Sequence, residues 1–392
     1  RDVLGSRGLG DVYKRQRNMR SEGETLKFKN GKFKVMHITD TQESAAVAKD
    51  TLKLINAALD AEKPDLVVFT GDQIKGYSVT FLGKNKEEII KMTIGKIIEP
   101  VVKRNIPFAV TFGNHDRQTG ISNDRQIKFY EEYSQCVKGA DVYGSGTYTV
   151  PIEGADGKPA MNIYMVDSGG DAKGGGYEAV TPEQIEWYKS AREALKEQAG
   201  KYVPSIVFQH IPVSEYYNVL RRVGKHDENA VRAFRTHKNE YYVPEEKVMK
   251  DSDYFMLEPP SIPDVNTGEF EAMKEKGDVF AIFVGHDHKN CFVGTYDGID
   301  LGYTPSSGFN VYGEGTKRAV RVFEFSEENP ADYKTRTLSF RKLIGRKVQT
   351  PVKDFLFKYA PTTVDAAIPM IIKAVIAVFG IAAVIALIGF IF

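Results

Sequence analysis

Five times in this chain an apolar run of strand character stops abruptly at Asp, Asn or His. Val35-Met36-His37-Ile38 leads to Asp40-Thr41-Gln42, and Leu66-Val67-Val68-Phe69 leads to Gly71-Asp72. Phe108-Ala109-Val110-Thr111-Phe112 leads to Gly113-Asn114-His115-Asp116. Ile206-Val207-Phe208 leads to Gln209-His210, and Phe280-Ala281-Ile282-Phe283-Val284 leads to Gly285-His286-Asp287-His288. Continuous apolar runs of this length predict strands buried on both faces. In open α/β sheets, ligands gather outside the carboxyl ends of such strands. Four of the seven histidines, His115, His210, His286 and His288, fall in these loops.

Helical periodicity fills the gaps. Ala45–Ala61 places Val47, Leu52, Leu54, Ile55, Ala58 and Leu59 on one face, and Glu87–Arg104 does the same with Ile89, Ile90, Ile94, Ile97 and Ile98. Strand, helix, strand, helix, strand implies a mostly parallel sheet with right-handed crossovers, hence an α/β fold. Gly144–Val150 and Met161–Asp167 predict a hairpin across a turn-rich Gly154–Pro159. Pro182–Ala199 predicts a helix with Thr181 as its N-cap. The Gly-rich stretch 169–176 lacks the Gly-Lys-Ser/Thr ending of a phosphate loop and reads as a mobile rim loop. Cys291–Tyr296, Ile299–Tyr303 and Ala319–Phe325 are expected to close the sheet as antiparallel strands. Residues 213–265, dense in tyrosine, read as an insertion that packs on the domain or walls the substrate site.

The ends differ from the body. Residues 1–16 contain Asp11-Val12-Tyr13-Lys14-Arg15-Gln16, which resembles a translated sequencing-library sequence, and they are set aside. Residues 17–32 form a lead-in without the apolar core of a signal peptide. The domain proper is expected over 33–325, a basic linker over 326–365, and a transmembrane helix over 366–392. From Ala374 to Phe392 there is no charged residue, which is long enough for a span. The basic residues before it, among them Arg341, Lys342, Arg346 and Lys347, predict that the domain stays cytoplasmic, held by a single-pass C-terminal anchor.

The 53 basic and 52 acidic residues give a net charge of +1, so no strong nucleic-acid signal is present. Two cysteines supply neither a disulfide framework nor a thiolate zinc site. Carboxylates, a carboxamide and imidazoles converging at strand ends suit a pair of divalent metal ions. Asp72 is the expected bridge, because a carboxylate can balance two cations and Gly71 leaves its turn room. Asn114 offers a neutral oxygen and the histidines neutral nitrogens.

The ordered series Asp40-x-Gln42, Gly71-Asp72, Gly113-Asn114-His115-Asp116, His210 and Gly285-His286-Asp287-His288 resembles the calcineurin-like metallophosphoesterase superfamily over residues 33–325. Gly277-Asp278-Val279, Gly308-Phe309 and Arg318-Ala319-Val320-Arg321 are similar to its branch around the yeast dosage-dependent cell-cycle regulator phosphatase. The resemblance implies a four-layer α/β/β/α sandwich. It also implies that Asp40, Gln42 and His288 hold one metal, that Asn114, His210 and His286 hold the other, and that Asp72 lies between them. It implies hydrolysis of phosphate esters by a bridging hydroxide, with His115 protonating the leaving oxygen. The substrate would be a phosphorylated small molecule or a phosphoprotein. Gln42 stands where the family usually has histidine. That harder donor tilts the choice toward manganese or magnesium over zinc, with manganese or iron the first expectation overall and magnesium or zinc the second. The competing readings are a catalytically weakened phosphate-binding or scaffold module of the same fold, and a phosphodiesterase or nuclease.

Overall fold

The computed structural model describes residues 25–362, 367–368, 370–373 and 375–380. Residues 1–16 therefore lie outside the described residues. Strands Lys32–Ile38 (β1), Leu66–Thr70 (β2) and Phe108–Thr111 (β3) pair in parallel and are joined by helices Lys49–Glu62 (α1) and Lys86–Val102 (α2). Ala45–Ala48 stay outside α1. The Glu43 carboxylate accepts the Ala48 amide at 2.8 Å and holds that segment extended, so the helix starts at Lys49. Lys63 then ends it in the left-handed region (φ 48°).

After a single turn, Asn114–Arg117 (α3), and the helix Asn123–Glu131 (α4), the chain enters a second sheet. Val142–Gly144 (β4), Thr147–Glu153 (β5) and Pro159–Val166 (β6) run antiparallel, and Pro182–Ala199 (α5) leads to Ser205–Gln209 (β7), parallel to β6. In α5, Thr181 accepts the Gln184 amide while the Gln184 side chain returns to the Thr181 amide, and Gly200 (φ 76°) closes the other end. The insertion carries a small sheet of Leu220–Val223 (β8), Val231–Arg232 (β9) and Tyr241–Pro244 (β10). Its Tyr216 is fully buried, the hydroxyl donating to the Ile282 and Gly302 carbonyls at 3.0 Å.

The remainder comprises Phe255–Met256 (β11), Glu269–Lys274 (α6), Val279–Val284 (β12), Asn290–Cys291 (β13), Val293–Tyr296 (β14) and Ile299–Tyr303 (β15). Ala319–Ser326 (β16), Lys334–Ser339 (β17), Phe340–Leu343 (α7) and Pro351–Lys358 (α8) follow. The sheets run β17-β16-β1-β2-β3 and β14-β15-β12-β7-β6-β5-β4. One expectation changes here. β15 is parallel to β12, and β16 leaves that sheet to pair antiparallel with β1. Phe323 and Phe325 of β16 fill the space between the two sheets while Val320 and Val322 face the helices, a split that only a strand of the first sheet can make.

Alternation along each strand sets the layers. Val35, Val68 and Ala109 meet Ile206, Phe208 and Phe283 in the core between the sheets. Met36, Phe69 and Val110 pack under Leu54 of α1 and Ile94 of α2. Val207 and Ile282 pack under Tyr188 and Leu195 of α5. The order is therefore helices, sheet, sheet, helices.

Residues 326–365, expected as a linker, carry β17, α7 and α8. Arg336 on β17 is neutralised by Glu62 (2.7 Å) and Glu324 (3.0 Å), and Phe340 is fully buried. The transmembrane helix expected at 366–392 falls largely outside the described residues. Among the described residues, no helix is long and apolar enough to cross a membrane.

Candidate metal centre

The carboxyl ends of β1, β2 and β3 from one sheet and of β7 and β12 from the other meet at one edge of the sandwich. Asp40, Gln42, Asp72, Asn114, His210, His286 and His288 converge there, each buried, with His115 half-buried beside them. Asp72, His210 and His286 form one group able to hold an ion; Asp40, Asp72 and His288 form a second. Asp72 belongs to both.

The backbone is bent to bring these side chains inward. Asp40 (φ 52°), Gln42 (φ 34°), Asp72 (φ 51°) and His286 (φ 69°) all occupy the left-handed region, which costs energy for residues with a Cβ and marks sites where the fold overrides local preference. Asp116 locks the Asp72 turn, accepting the Asp72 amide at 2.7 Å, the Gly113 amide at 2.9 Å and the Ile74 amide at 3.2 Å. Gly113 passes so close that a Cβ there would strike the Asp72 carboxylate.

The imidazoles are aimed. His210 donates from Nδ1 to the Thr70 carbonyl (2.9 Å), and His288 donates from Nδ1 to the Tyr312 carbonyl (3.0 Å). Both therefore turn Nε2 to the centre, where loss of its proton would leave a lone pair for a metal, the orientation that metal-ligating histidines adopt. His210 Nε2 lies 3.3 Å from Asp72 Oδ2, and His288 Nε2 lies 3.2 Å from Asp40 Oδ1. Tyr312 stacks on His288 with ring centroids 4.1 Å apart, and Tyr177 stands edge-on to His286 at 4.3 Å.

Electrostatics shows what the site lacks by itself. Burial works against charge on His210, yet Asp72 and Asp40 hold its proton and raise its pKa to about 10. Burial likewise opposes charge on His288, and Asp40 outweighs it, raising the pKa. Burial would push Asp72 up, but His210 and His115 hold it well below the carboxylate range. Among the described residues, no lysine or arginine side chain pairs with Asp40 or Asp72. Protons on imidazoles thus stand in for cations that the two carboxylates require. Asn114 Oδ1 and His286 Nε2 are buried without a hydrogen-bond partner, Asp40 Oδ1 faces His288 Nε2 at 3.2 Å, and each is an atom type that coordinates divalent ions. The residues present fit two such ions.

Gln42 is in place but turned. Its Nε2 donates to Asp72 Oδ2 (2.9 Å) and lies 3.2 Å from His288 Nε2, with Oε1 3.5 Å from the Tyr77 hydroxyl. A flip of the amide presents the oxygen instead. His115 donates its amide to Asp72 Oδ1 (2.8 Å), its ring meets Tyr77 at 4.8 Å, and its Nδ1 lies 2.7 Å from Gln118 Oε1. His37 stays in the core, as its strand position suggests, between the Thr70 and Thr304 hydroxyls.

Asp171 and Gln118 escape sequence reasoning. Asp171 accepts from Asn114 Nδ2 at 3.1 Å and from Gln118 Nε2 at 2.5 Å. The carboxylate thereby fixes the Gln118 amide, and the Gln118 oxygen fixes His115 with Nδ1 protonated and Nε2 facing the centre. Asp171 sits in the Gly-rich 169–176 stretch, which is tied down here by an Asp171–Tyr177 bridge. The one available signal was an acid among glycines, ordinary in any turn.

A sequence model of the family described as calcineurin-like phosphoesterase matches residues 33–290. The chain is 25% identical over 336 residues to "Probable inactive purple acid phosphatase 14" of Arabidopsis thaliana, covering 75% of each chain. It is 26% identical over 228 residues to "Phosphatase DCR2" of Saccharomyces cerevisiae, covering 51% of this chain and 38% of that one. The crystal structure of a dimetal phosphatase from Danio rerio aligns with 79% of this chain and 99% of its own, at a TM-score of 0.47 and 12% identity.

Proposed function

The chain belongs to the calcineurin-like phosphoesterase family, and from that premise we propose that it is a membrane-tethered hydrolase of phosphate esters with two divalent ions at Asp72. The observation that carries this is Asp72 shared between two buried ligand groups, with Asn114 Oδ1 and His286 Nε2 lacking any hydrogen-bond partner. Asp40, Gln42 and His288 would hold one ion and Asn114, His210 and His286 the other, manganese or iron suiting this oxygen-and-imidazole set first. Ions bound there supply Lewis acidity toward the phosphoryl oxygens and make a water acidic enough to serve as nucleophile at neutral pH.

The protein's own groups do the rest. His115, with 25% of its side chain exposed, is the group a leaving oxygen can reach. Its Nδ1–H is taken by Gln118, so when the ring carries both protons the one on Nε2 is the one it hands over, leaving the Nδ1–H tautomer behind. Asp171 keeps the ring in that orientation. The uncharged stretch from Ala374 anchors the chain in a membrane, and the basic flank keeps the domain on the cytoplasmic side.

The test is a screen of the purified full chain, after chelation, against phosphomonoesters, phosphodiesters and nucleotides with manganese, iron, magnesium or zinc restored singly. Phosphate release that returns with metal supports the proposal; none with any metal refutes it. One observation favours a second reading, a weakened phosphate-binding module. The Gln42 amide nitrogen sits between Asp72 and His288, where it satisfies the carboxylate without a cation. Binding of one ion per chain without turnover would select that reading.

A further inference from the structure

Helix α8 is mounted inside out. A surface helix normally turns its apolar stripe to the core and its charges to water. Here Val352, Phe355, Leu356 and Tyr359, spaced as one stripe, are 74%, 62%, 62% and 58% exposed. The polar face is the one that docks. Asp354 pairs at 2.7 Å with Arg318, itself only 1% exposed, Lys353 bonds the Asn310 side chain, and Lys358 faces Glu314 at 3.6 Å. The Lys289 ammonium donates to the Lys358 carbonyl at 2.7 Å.

The helix also abuts the metal centre. Lys289 follows His288 directly and lies 5.8 Å from the ring of Tyr312, which stacks on His288. Lys75 lies over two rings, Phe357 of α8 (5.5 Å) and Tyr77 (5.1 Å), and Tyr77 packs on His115. Just past Tyr77, Val79 and Leu82 are 77% and 74% exposed. Exposed apolar side chains thus stand both on α8 and on the segment next to Tyr77, which packs on His115.

Three observations identify what covers it. Residues 341–347, just before α8, hold Arg341, Lys342, Arg346 and Lys347 and no acid, which suits an anionic surface at about 1 kcal/mol per basic residue. Beyond α8, the described residues of 367–380 are helical and expose Ile368, Ile371, Ile372, Ile376 and Phe379. The sequence then stays uncharged to Phe392. An exposed apolar stripe followed in the chain by apolar helical residues, behind a basic flank, is the pattern of an interfacial segment.

We propose that α8 lies in the interface of an anionic lipid bilayer and holds the metal centre against it, so that the substrates are phosphate esters of lipid headgroups. The substrate class rests on the phosphoesterase reading; the docking does not.

The test uses the full chain in phosphatidylcholine–phosphatidylserine vesicles. Both native cysteines are buried, so a polarity-sensitive fluorophore can be placed selectively on Phe355→Cys, with Ser190→Cys on exposed α5 as the control. Quenching by acyl-brominated lipid at position 355 and not at 190 is expected. A vesicle-bound protein with no quenching at 355 overturns the docking. So does a label at 355 shielded from both aqueous iodide and acyl-brominated lipid, whether the shielding grows with protein concentration (a second copy covers the stripe) or not (the chain covers itself). Leu356→Glu is expected to lower hydrolysis of vesicle-borne phosphatidic acid by about tenfold or more and to leave soluble nitrophenyl phosphate unchanged. Turnover of the soluble ester without the lipid one overturns the substrate class. Turnover of neither, with the phosphodiesters and nucleotides of the wider screen also left intact, overturns the phosphoesterase reading, while the label still reports the docking.

Discussion

Asp72→Asn is the perturbation on which the dinuclear centre depends most directly. The carboxylate is 1% exposed, and its Oδ2 lies 3.3 Å from His210 Nε2. At that 3.3 Å separation and an effective dielectric of about 20, a unit charge is worth about 5 kcal/mol, or more than about 10³-fold in affinity. Asparagine keeps the shape and one oxygen but forfeits the charge. Asp72 lies in both ligand groups, so both ions weaken; Asp40 lies in one, so Asp40→Asn weakens one. Elemental analysis after dialysis should find less than one ion per chain in Asp72→Asn and one in Asp40→Asn, against two in the parent. In the metal-free protein the His210 pKa, about 10 through the charges of Asp72 and Asp40 working against burial, should also fall in Asp72→Asn, readable by NMR. Equal metal losses in the two variants, or an unmoved His210, would refute the shared-carboxylate reasoning.

His115→Ala should lower turnover by about 10²–10⁴-fold with metal content intact, the loss shrinking for nitrophenyl esters; equal losses for good and poor leaving groups would exclude the acid role. Asp171→Asn should show the same leaving-group dependence at about 10–100-fold, because the Gln118 amide is freed to turn; a uniform loss would make Asp171 a loop residue only. Gln42→His should tighten binding and shift preference toward zinc in isothermal titration, and no change would place Gln42 outside the ligand set. Glu269, buried in α6 beside Glu215, has a pKa raised from 4.5 to about 8, first by burial and then by that neighbour. The folded state thus binds a proton that the unfolded state has lost between those values, and stability falls as pH rises through that window by up to about 1.4 kcal/mol per pH unit. Glu269→Gln should remove this slope, so its melting temperature should gain on the parent from pH 5 to pH 8; a constant difference would contradict the assignment.

The sequence by itself determined the strands and what stands at their ends. Strands covered on both faces must be apolar throughout, so the run before Asp72 or Asn114 is visible wherever it occurs, and the polar loop after it is fixed by chain direction alone. The Thr181 N-cap is legible because capping is local, its partner being the Gln184 amide three residues on. What the tertiary structure decided involves partners distant in the chain. β16 crosses to pair with β1 because its two faces match two different cores, and no local pattern names those cores. Asp171 reaches Asn114 and Gln118 across 57 and 53 residues, so its role exists only once the sheets are assembled. α8 makes the point most sharply. Its periodicity shows an apolar face and a charged one, but which face is covered depends on Arg318, Asn310 and Glu314 standing ready to take its charges, and that placement belongs to the fold.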